Sequence, residues 1–446
     1  MAFKVHRNEP ELLTPSKKTH REFKPLSDID DQDGLRFQIP VIMFFDHSPD
    51  MKGKDPVKVI RDAIREALSY YQPFAGRLRE THERKLVVDC TGEGILFVAA
   101  DADVTLEEFG HDLQPPFPNF DELLHDVPGS SGVTDCPLLL IQVTRLRCGG
   151  FIFALRLNHT MCDAPGLVQF MTAVAEIARG LKTPSVLPVW SRHVLNARNP
   201  PNVTCAHREY DEVADTKGTL VPLDDMSHKS FLFGPDEIKR LRQHAPKHLR
   251  SCTTFELLTA CLWKCRTVAI EADPDEEVRM ICIVNARKNL ALPTGYYGNA
   301  FAFPVAVATA GELNSRPLGY ALDLVRKAKN SVDEEYMKSL ADLLVSRGRP
   351  HFTAVRSYLV SDVTHAGFAE VDFGWGRPAY GGPARGGVGA IPGVASFLIP
   401  FSNKEGKKGI VLPICLPGAA MDRFVKELNM MLEDSSPSSL PIMSAL

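Results

Sequence analysis

The chain has 446 residues, of which 44% are hydrophobic and 24% charged, and acidic side chains outnumber basic ones by 55 to 51. This length exceeds what one small hydrophobic core accommodates, so two domains are expected. The acidic excess, with only short basic runs such as Lys407-Lys408, argues against a nucleic-acid-binding protein, which usually has a basic face.

The sequence also lacks the patterns of secreted and membrane proteins. Its N-terminal residues contain no apolar stretch of the secretory type, and no run of about 18 apolar residues occurs further along. The ten cysteines are scattered without a Cys-x-x-Cys pair, which is typical of reduced thiols. We therefore expect a cytoplasmic protein with no membrane partner and no nucleic-acid partner.

The first predicted elements alternate between strand and helix. Residues 39–45 predict a strand. Asp55 is a favourable N-cap for a helix that begins at Pro56, because proline suits the first helical turn. The apolar side chains of this helix recur at helical spacing, at Val57, Ile60, Ile64 and Leu68.

Two strand pairs and a second helix follow. Residues 85–90 and 94–100 are expected to pair with each other around a glycine-containing turn, and residues 138–146 are expected to pair with residues 150–157. Residues 164–179 predict a helix with one apolar side.

The character of the sequence changes at residues 184–225, which are rich in proline, asparagine and charge and have no clear period. This composition is typical of a linker. The pattern then restarts, with a strand from Phe231, a helix at 254–269, a strand at 278–284, helices at 318–331 and 336–346, a hairpin of 394–401 with 409–416, and a helix at 421–432. The sequence thus predicts an α/β protein with domains at 1–183 and 226–446, and ligands often bind between domains.

His159 lies between the predicted strand at 150–157 and the helix at 164–179. Asp163 is well placed as the N-cap of that helix, with Pro165 in its first turn. Loops held between rigid elements often carry catalytic side chains. The partial positive charge of the helix N-terminus disfavours an imidazolium, so His159 is a candidate general base in its neutral form. The alternative is a buried histidine that bonds to the backbone of the turn.

The His-x-x-x-Asp spacing is a weak motif, because about one match is expected by chance in a chain of this composition. A second match consists of His207 and Asp211. It lies in the polar linker, with no apolar strand before it and no small-residue helix start after it. We therefore interpret His207 as a surface residue and His159 as the candidate for chemistry.

The segment Asp372-Phe-Gly-Trp-Gly is far more specific, with a chance probability of about 5 in 100,000. Gly374 and Gly376 on either side of Trp375 indicate a tight turn with unusual backbone angles. We interpret Asp372 as a carboxylate that fixes this loop by an ion pair or by backbone N–H bonds. The alternative is a second catalytic acid or base.

These two segments, in this order, resemble the HXXXD and DFGWG motifs of the plant BAHD acyltransferase family. Residues 71–78 resemble the family's Tyr-Pro-x-Ala-Gly-Arg-Leu run, and residues 284–287 and 297–299 resemble two further family motifs. Residues 25–40 and 361–368 are similar to those of alcohol acyltransferases that make volatile esters, among them the benzyl alcohol O-benzoyltransferases. The resemblance covers nearly the whole chain.

The resemblance implies two mixed α/β domains of the chloramphenicol-acetyltransferase-like type, with an active-site channel between them. A segment near residues 373–400 is expected to cross over to the first domain. His159 would take the proton of an alcohol hydroxyl, and the alcohol oxygen would attack the thioester of an acyl-CoA co-substrate. No permanently bound cofactor and no metal are implied, and we expect a monomer of plant specialised metabolism.

The resemblance also assigns supporting residues. Asp163 and Gly166 would hold the loop of His159, and Asp372 would pair with Arg287. Several relatives have Tyr-x-Thr-Ser-Trp near the oxyanion, where this chain has Tyr-Leu-Val-Ser-Asp at residues 358–362. A carboxylate does not donate a hydrogen bond unless protonated, so Ser361 is the candidate oxyanion donor.

Coenzyme A is expected to bind the second domain, where a helix start offers hydroxyl and N–H groups to phosphates. The candidate contacts are Lys247, Arg250, Ser251, Thr253 and Thr254. We expect Lys247 and Arg250 to pair with the 3′-phosphate.

The substrates are expected to be an aromatic acyl-CoA such as benzoyl-CoA, or else acetyl-CoA, and a small alcohol such as benzyl alcohol or a short aliphatic one. The alternatives are a larger terpenoid, phenolic or amine acceptor, and a catalytically dead binding protein on the same fold.

A serine hydrolase is disfavoured because no Gly-x-Ser-x-Gly elbow occurs. A metal enzyme is disfavoured because His244 and His248 flank Pro246 and lack a supporting glutamate. A dinucleotide-binding protein is disfavoured because the glycines after residue 373 lack the strand-to-helix arrangement.

Overall fold

The computed structural model describes residues 3–81, 84–110, 113–213, 225–387, 393–403 and 406–433. Two large mixed β-sheets form its frame, and helices pack against both. No helix in these ranges has the length and apolar character needed to cross a bilayer.

The first large sheet has seven strands and is built mostly from the N-terminal part of the chain. Its strands are β1 (Val5–Arg7), β2 (Glu11–Leu13), β4 (Gln38–Phe45), β7 (Ile95–Ala102), β8 (Leu139–Leu146), β9 (Phe151–Asn158) and β16 (Tyr380–Pro383). Their spatial order is β1-β7-β8-β9-β4-β16, with β2 also beside β7. The predicted hairpin of β8 with β9 is confirmed by its antiparallel register.

The helices on this sheet follow the sequence pattern closely. They are α1 (Pro56–Leu68), the short α2 (Phe120–Leu123) and α3 (Ala164–Ala178). Asp55 accepts a hydrogen bond from the N–H of Val57, as an N-cap does. Ile60, Ile64 and Leu68 are fully buried, and each such side chain stabilises the fold by about 1.5–3 kcal/mol.

The predicted pairing of residues 85–90 with residues 94–100 is wrong. The first of these segments is β6 (Leu86–Asp89), which lies in a separate three-stranded sheet between β3 (Phe23–Pro25) and β5 (Arg77–Glu80). Both hydrogen-bonding edges of β6 are therefore occupied, and β7 pairs with β8 instead.

The second large sheet has six strands from the C-terminal part of the chain. They are β10 (Met226–Phe233), β11 (Glu277–Cys282), β14 (Val305–Thr309), β15 (Ser357–Asp362), β17 (Ala395–Ser402) and β18 (Lys408–Pro417). Their order is β10-β18-β17-β15-β11-β14. The hairpin of β17 with β18 is confirmed. A two-stranded sheet, β12 (Val284–Asn285) with β13 (Phe301–Ala302), lies between β11 and β14 in the sequence.

The helices of this half are α4 (Pro235–Gln243), α5 (Thr254–Ala269), α6 (Ala310–Ser315), α7 (Leu318–Asn330), α8 (Glu334–Ser346) and α9 (Gly418–Leu432). The predicted helices at 254–269, 318–331, 336–346 and 421–432 are confirmed, with α8 and α9 beginning two or three residues earlier. Helices α5, α7 and α9 pack together, and their buried faces share one hydrophobic cluster with β11, β15 and β18.

Strand β16 connects the two halves. It follows β15 in the chain but pairs with β4 of the first sheet, with Tyr380 opposite Phe44. The predicted crossover segment 373–400 extends past this strand into β17, which lies in the second sheet. The domain boundaries at 183 and 226 stay a prediction.

Candidate active site

His159 lies in the five-residue connection between the end of β9 and the start of α3. Its backbone N–H donates to the carbonyl oxygen of Phe37 at 2.9 Å, which ties the loop to the residue before β4. The ring of Phe37 lies 5.3 Å from the imidazole, and the ring of Phe301 lies 6.0 Å from it on another side. The imidazole therefore lies between residues of the two halves of the chain.

The imidazole of His159 is partly exposed. Its Nδ1 atom is buried and has no hydrogen-bond partner within the described residues, whereas Nε2 is not among the buried atoms. Burial lowers the pKa of His159 below its ordinary value, against smaller opposing effects that include the charge of Asp163. The ring is thus neutral at pH 7. Burial is the main cause of the lowered pKa, whereas the sequence suggested the helix N-terminus as the cause.

Asp163 caps α3 and also joins the two halves. Its Oδ1 accepts from the N–H of Gly166 at 3.1 Å, the N-cap bond that the sequence predicts. The Arg287 guanidinium donates to both carboxylate oxygens, at 2.6 and 2.7 Å, and the N–H of Ala300 donates to Oδ2 at 3.1 Å. Burial alone would lower the pKa of Arg287, but the Asp163 carboxylate outweighs it and the pKa is raised.

Gly166 is required at the start of α3 by a close backbone approach. A Cβ atom there would collide with the carbonyl oxygen of Tyr297. The helix that follows His159 therefore packs directly on a loop of the second half, and the larger side chain of any other residue would push the two apart.

The expected ion pair of Asp372 with Arg287 is wrong, because the partner of Arg287 is Asp163. Asp163 lies at the N-terminus of α3, whereas Arg179 just past its C-terminus donates to the backbone oxygen of Asp372. A helix of 15 residues is roughly 22 Å long, so the two aspartates lie at opposite ends of it.

The carboxylate of Asp372 instead holds its own turn. Its Oδ1 accepts from the N–H groups of Gly374 at 2.7 Å and Gly376 at 2.9 Å. Both glycines have positive φ angles, +111° and +90°, which side chains with a Cβ rarely adopt. Trp375 packs against the ring of Phe151 at 5.3 Å. This loop thus packs on the first sheet, at the end of α3 remote from His159.

A buried polar cluster beside His159 was not predicted. Arg192, in the linker, donates from Nη1 to both oxygens of Asp30 at 2.8 Å and from Nη2 to the carbonyl of Met161 at 2.8 Å. Asn299 donates from its backbone and from Nδ2 to Asp30, at 2.9 and 2.8 Å. Asp30 and Asn299 lie in the segments 25–40 and 297–299 that carried the family resemblance, whereas Arg192 lies in the linker. The sequence pattern alone assigned no role to these three residues.

The interpretation of His207 as a surface residue is wrong. Its ring is buried, with Nε2 at 2.9 Å from Ser339 Oγ and Nδ1 at 3.2 Å from Glu209 Oε1. The Ser339 hydroxyl also accepts from the N–H groups of Thr204 and Cys205. This arrangement attaches the linker to α8.

The candidate CoA contacts lie at and before the start of α5. Lys247, Arg250, Ser251 and Thr253 are exposed, and Thr254 is partly exposed. The helix already uses part of Thr253, because its Oγ1 accepts from Glu256 N at 3.2 Å and its N–H donates to Glu256 Oε2 at 3.0 Å. The start of α5 therefore offers fewer unpaired N–H groups to a phosphate than the sequence suggested.

Ser361, the candidate oxyanion donor, is partly buried near the end of β15 and pairs with Phe397 of β17. Asp362 beside it is exposed and accepts from the N–H of Thr364 at 2.9 Å. The aspartate thus stabilises a turn, while the serine lies within the sheet.

A cavity of about 690 Å³ lies beside Phe37. Phe37 and Gln38 line it, together with Arg156 and Arg385. Pockets for small ligands usually have about 300–1,000 Å³. Phe37 therefore borders both this cavity and the ring of His159. A channel that reaches the imidazole from both faces stays a prediction.

Comparison with known proteins places the chain in one family. The sequence model of the Transferase family matches residues 3–431. The chain is 70% identical over 439 residues to a benzyl alcohol O-benzoyltransferase of Nicotiana tabacum, covering 98% of this chain and 95% of that protein. It is 71% identical over 435 residues to a protein of the same name from Petunia hybrida, covering 97% and 95%. Alcohol acyl transferase 1 allele RGb of Malus domestica is 56% identical over 439 residues, covering 96% and 95%.

Solved structures share the fold. Vinorine synthase superposes with a TM-score of 0.73 at 21% identity, covering 97% of this chain and 99% of that chain. F. graminearum TRI101, complexed with coenzyme A and deoxynivalenol, has a TM-score of 0.68 at 15% identity, covering 90% and 96%. The likeness confirms the predicted fold class, mixed α/β of the chloramphenicol-acetyltransferase-like type.

Proposed function

The chain belongs to the plant BAHD acyltransferases within the Transferase family, and on this premise we propose that it transfers a benzoyl group from CoA to a small alcohol, with His159 as the general base. It is an acyltransferase that forms esters from acyl-CoA and small alcohols. The observation that carries the residue assignment is the neutral, partly exposed imidazole between the two halves of the chain.

The proposed reaction begins with His159 Nε2, the ring nitrogen that is not buried. Nε2 accepts the proton of the alcohol hydroxyl as the alcohol oxygen bonds to the thioester carbonyl carbon. The tetrahedral intermediate collapses with cleavage of the C–S bond. The imidazolium then returns the proton to the CoA thiolate, so the ester and free CoA leave and His159 is neutral again.

The negative charge of the intermediate needs a hydrogen-bond donor. Ser361 is our candidate, because Asp362 occupies the position at which several relatives have tryptophan. For the CoA phosphates we propose Lys247, Arg250 and Ser251, whose exposed polar groups precede α5, with Thr253 and Thr254 at its first turn.

The benzoyl preference rests on the names of two relatives about 70% identical to this chain. The aromatic rings of Phe37 and Phe301, on two sides of the imidazole, are also suited to an aromatic acyl group or alcohol. Acetyl-CoA, short aliphatic alcohols and larger acceptors are the competing substrates.

A substrate panel tests this assignment. Purified enzyme with benzoyl-CoA and benzyl alcohol is expected to release CoA thiol and form benzyl benzoate, with a higher kcat/KM than acetyl-CoA under the same conditions. Products identified by mass spectrometry would separate ester from amide. Acylation of amines alone would contradict the O-acyltransferase, and no turnover with any acyl-CoA would support a dead binding protein.

The rate should fall in acid at a pH below the ordinary histidine pKa of about 6.5. Burial lowers the pKa of His159, while Asp163 and Asp30 oppose the shift without cancelling it. The base is lost when the imidazole is protonated, so kcat/KM is expected to fall to half of its plateau value at a pH below 6.5. A decline centred above pH 6.5 in the pH profile of kcat/KM would contradict this assignment.

We further propose that the enzyme works in the cytoplasm as a monomer, without a permanently bound cofactor. The ten cysteines of the described residues are free, which suits a reducing compartment. Sedimentation of the active protein at two concentrations would test the oligomeric state.

A further inference from the structure

Phe37 is the side chain that the imidazole of His159 and the cavity of about 690 Å³ share. Its ring lies 5.3 Å from the imidazole, at an interplanar angle of 49°. The same side chain lines the cavity, whereas His159 does not. Phe37 is half-buried, so its ring packs against protein on one part and borders open space on another.

The backbone of Phe37 is held independently of its side chain. Its carbonyl oxygen accepts from the N–H of His159 at 2.9 Å, and its own N–H donates to the carbonyl of Leu35 at 2.8 Å. The next residue, Gln38, begins β4 and is paired with Asn158 of β9. A substitution at residue 37 therefore removes the ring and leaves the hydrogen bonds that hold the loop of His159.

The cavity behind Phe37 has room for part of a substrate. Pockets of about 300–1,000 Å³ bury most of a drug-sized ligand, and this cavity lies within that range. A group longer than a benzyl or benzoyl group would need this space if it approached the imidazole from the side of Phe37. The ring of Phe37 occupies the position through which such a group would pass.

One polar atom of the cavity wall is available to a ligand. Gln38 Nε2 donates to the carbonyl oxygens of Ser130 at 2.6 Å and Gly132 at 3.2 Å. Both partners are acceptors, so the orientation of the amide is fixed. Gln38 Oε1 has no hydrogen bond within the described residues and is not among the buried atoms. It is therefore free to accept a hydrogen bond from a group in the cavity.

The charged side chains of the wall have both signs. Arg385 is exposed, and its guanidinium lies 5.8 Å from the ring of Phe120 without an ion pair to any described residue. Asp121 lines the same cavity with a carboxylate, and Arg156 is paired with Asp126 at 2.9 Å. A wall with donors and acceptors and no excess of one charge suits a neutral hydroxyl, which both donates and accepts.

We propose that Phe37 is a specificity-determining residue, whose ring separates the cavity from the imidazole and so restricts the enzyme to small substrates. This proposal rests on the role proposed for His159. With a small side chain at residue 37, the cavity joins the site of the base. The enzyme then accepts a longer substrate group with a hydroxyl at its far end, which Gln38 Oε1 binds. Both an alcohol and an acyl group have this chemistry, and the test below distinguishes them.

Phe120 provides a matched control. It is also a half-buried phenylalanine that lines the cavity. No ring contact joins it to His159 within the described residues, so Phe120→Ala enlarges the same cavity without connecting it to the imidazole. This variant therefore reports the effect of a looser cavity wall alone.

The test compares the substrate selectivity of Phe37→Ala, Phe37→Leu and Phe37→Trp with the wild type. One arm offers benzyl, cinnamyl and para-hydroxycinnamyl alcohol with benzoyl-CoA. The other offers benzoyl-, cinnamoyl- and para-coumaroyl-CoA with benzyl alcohol. In one arm, Phe37→Ala should raise kcat/KM for the long hydroxylated substrate, relative to the short one, by about 10-fold or more, as changes of pocket size do. Phe37→Leu should show a smaller rise and Phe37→Trp a fall, and the arm that responds identifies the substrate.

A second substitution tests the role of the hydroxyl. In the Phe37→Ala background, Gln38→Leu should remove the preference for the hydroxylated long substrate over the cinnamyl or cinnamoyl one. The preference for long over short substrates should remain, because the cavity stays open. Loss of neither preference would contradict the role of Gln38 Oε1.

Unchanged selectivity of Phe37→Ala in both arms, or an equal change in Phe120→Ala, would overturn the proposal. So would folded Phe37 variants that lose kcat equally for every substrate, since Phe37 would then support the base rather than select the substrate. If Phe37→Ala fails to fold, the order of Phe37→Trp, wild type and Phe37→Leu decides. If the wild type uses an acyl-CoA other than benzoyl-CoA, the proposed donor fails, whereas the dependence of selectivity on the size of residue 37 still decides this proposal.

Discussion

The His159→Ala variant should lose about 100- to 10,000-fold in kcat for ester formation, the range that a positioned general base contributes. The imidazole side chain makes no hydrogen bond that meets normal geometry within the described residues, so its loss removes little from the folded structure. We therefore expect a melting temperature near that of the wild type. Release of CoA thiol from benzoyl-CoA in the presence of benzyl alcohol measures the rate.

His193 supplies the control for this experiment. It is an exposed histidine of the linker, so His193→Ala should retain the wild-type kcat and stability. A His159→Ala variant that turns over at the wild-type rate would remove His159 from the mechanism. A variant that is slow but largely unfolded would leave its kcat uninformative, and the melting temperature distinguishes these outcomes.

Separating Asp163 from Arg287 should have the largest effect on stability. The pair is bidentate, and the side chains are 7% and 21% exposed. Breaking a buried ion pair from one side typically costs about 3–5 kcal/mol, because the remaining charge is left without its partner. Asp163→Asn is the sharper variant, since asparagine is also a good N-cap and keeps the bond from Gly166. Its free energy of unfolding should fall towards the lower end of that range.

Activity should fall with stability in these variants, because Asp163 and Ala300 N–H fix the loop of His159 to the second half. Arg287→Met with Asp163→Asn completes a double-mutant cycle, and a coupling energy of about 0.5–3 kcal/mol is expected for residues in contact. The exposed pair of Lys338 with Glu334 is the control, because surface pairs contribute about 0–1 kcal/mol. A coupling between Asp163 and Arg287 no larger than this control would contradict a structural role for the pair.

Elements that depend on residues close together in the sequence were predicted correctly. Helix α3 begins where Asp163 and Pro165 indicate, and its buried side chains recur at helical spacing. The strand pair β8 and β9 followed from a short turn between two apolar runs. These features depend on neighbours within a few residues, so one sequence contains the information for them.

Contacts between distant segments were predicted poorly. The partner of Arg287 is an aspartate 124 residues away, and the choice between Asp163 and Asp372 depends on which end of α3 faces β12. The burial of His207 depends on the linker packing against α8, which its polar composition did not indicate. Strand β6 pairs with β5, which precedes it, and with the distant β3, so that both of its edges are occupied and β7 is excluded.

The contacts of Asn299 at the candidate site were likewise not predictable from the sequence. Its run matched a family motif, but asparagine is common in loops and its contacts to Asp30 and His159 join segments 269 and 140 residues apart. Only the fold brings these groups together. The sequence identified the candidate base, and the structure identified the residues that hold it.

A crystal structure of the enzyme with CoA and benzyl alcohol tests the central claim most directly. The account predicts the alcohol oxygen within about 2.6–3.2 Å of His159 Nε2, the reach of a general base, and the CoA sulfur on the opposite side of that oxygen. An alcohol bound away from the imidazole, with Nε2 turned into the protein, would contradict it.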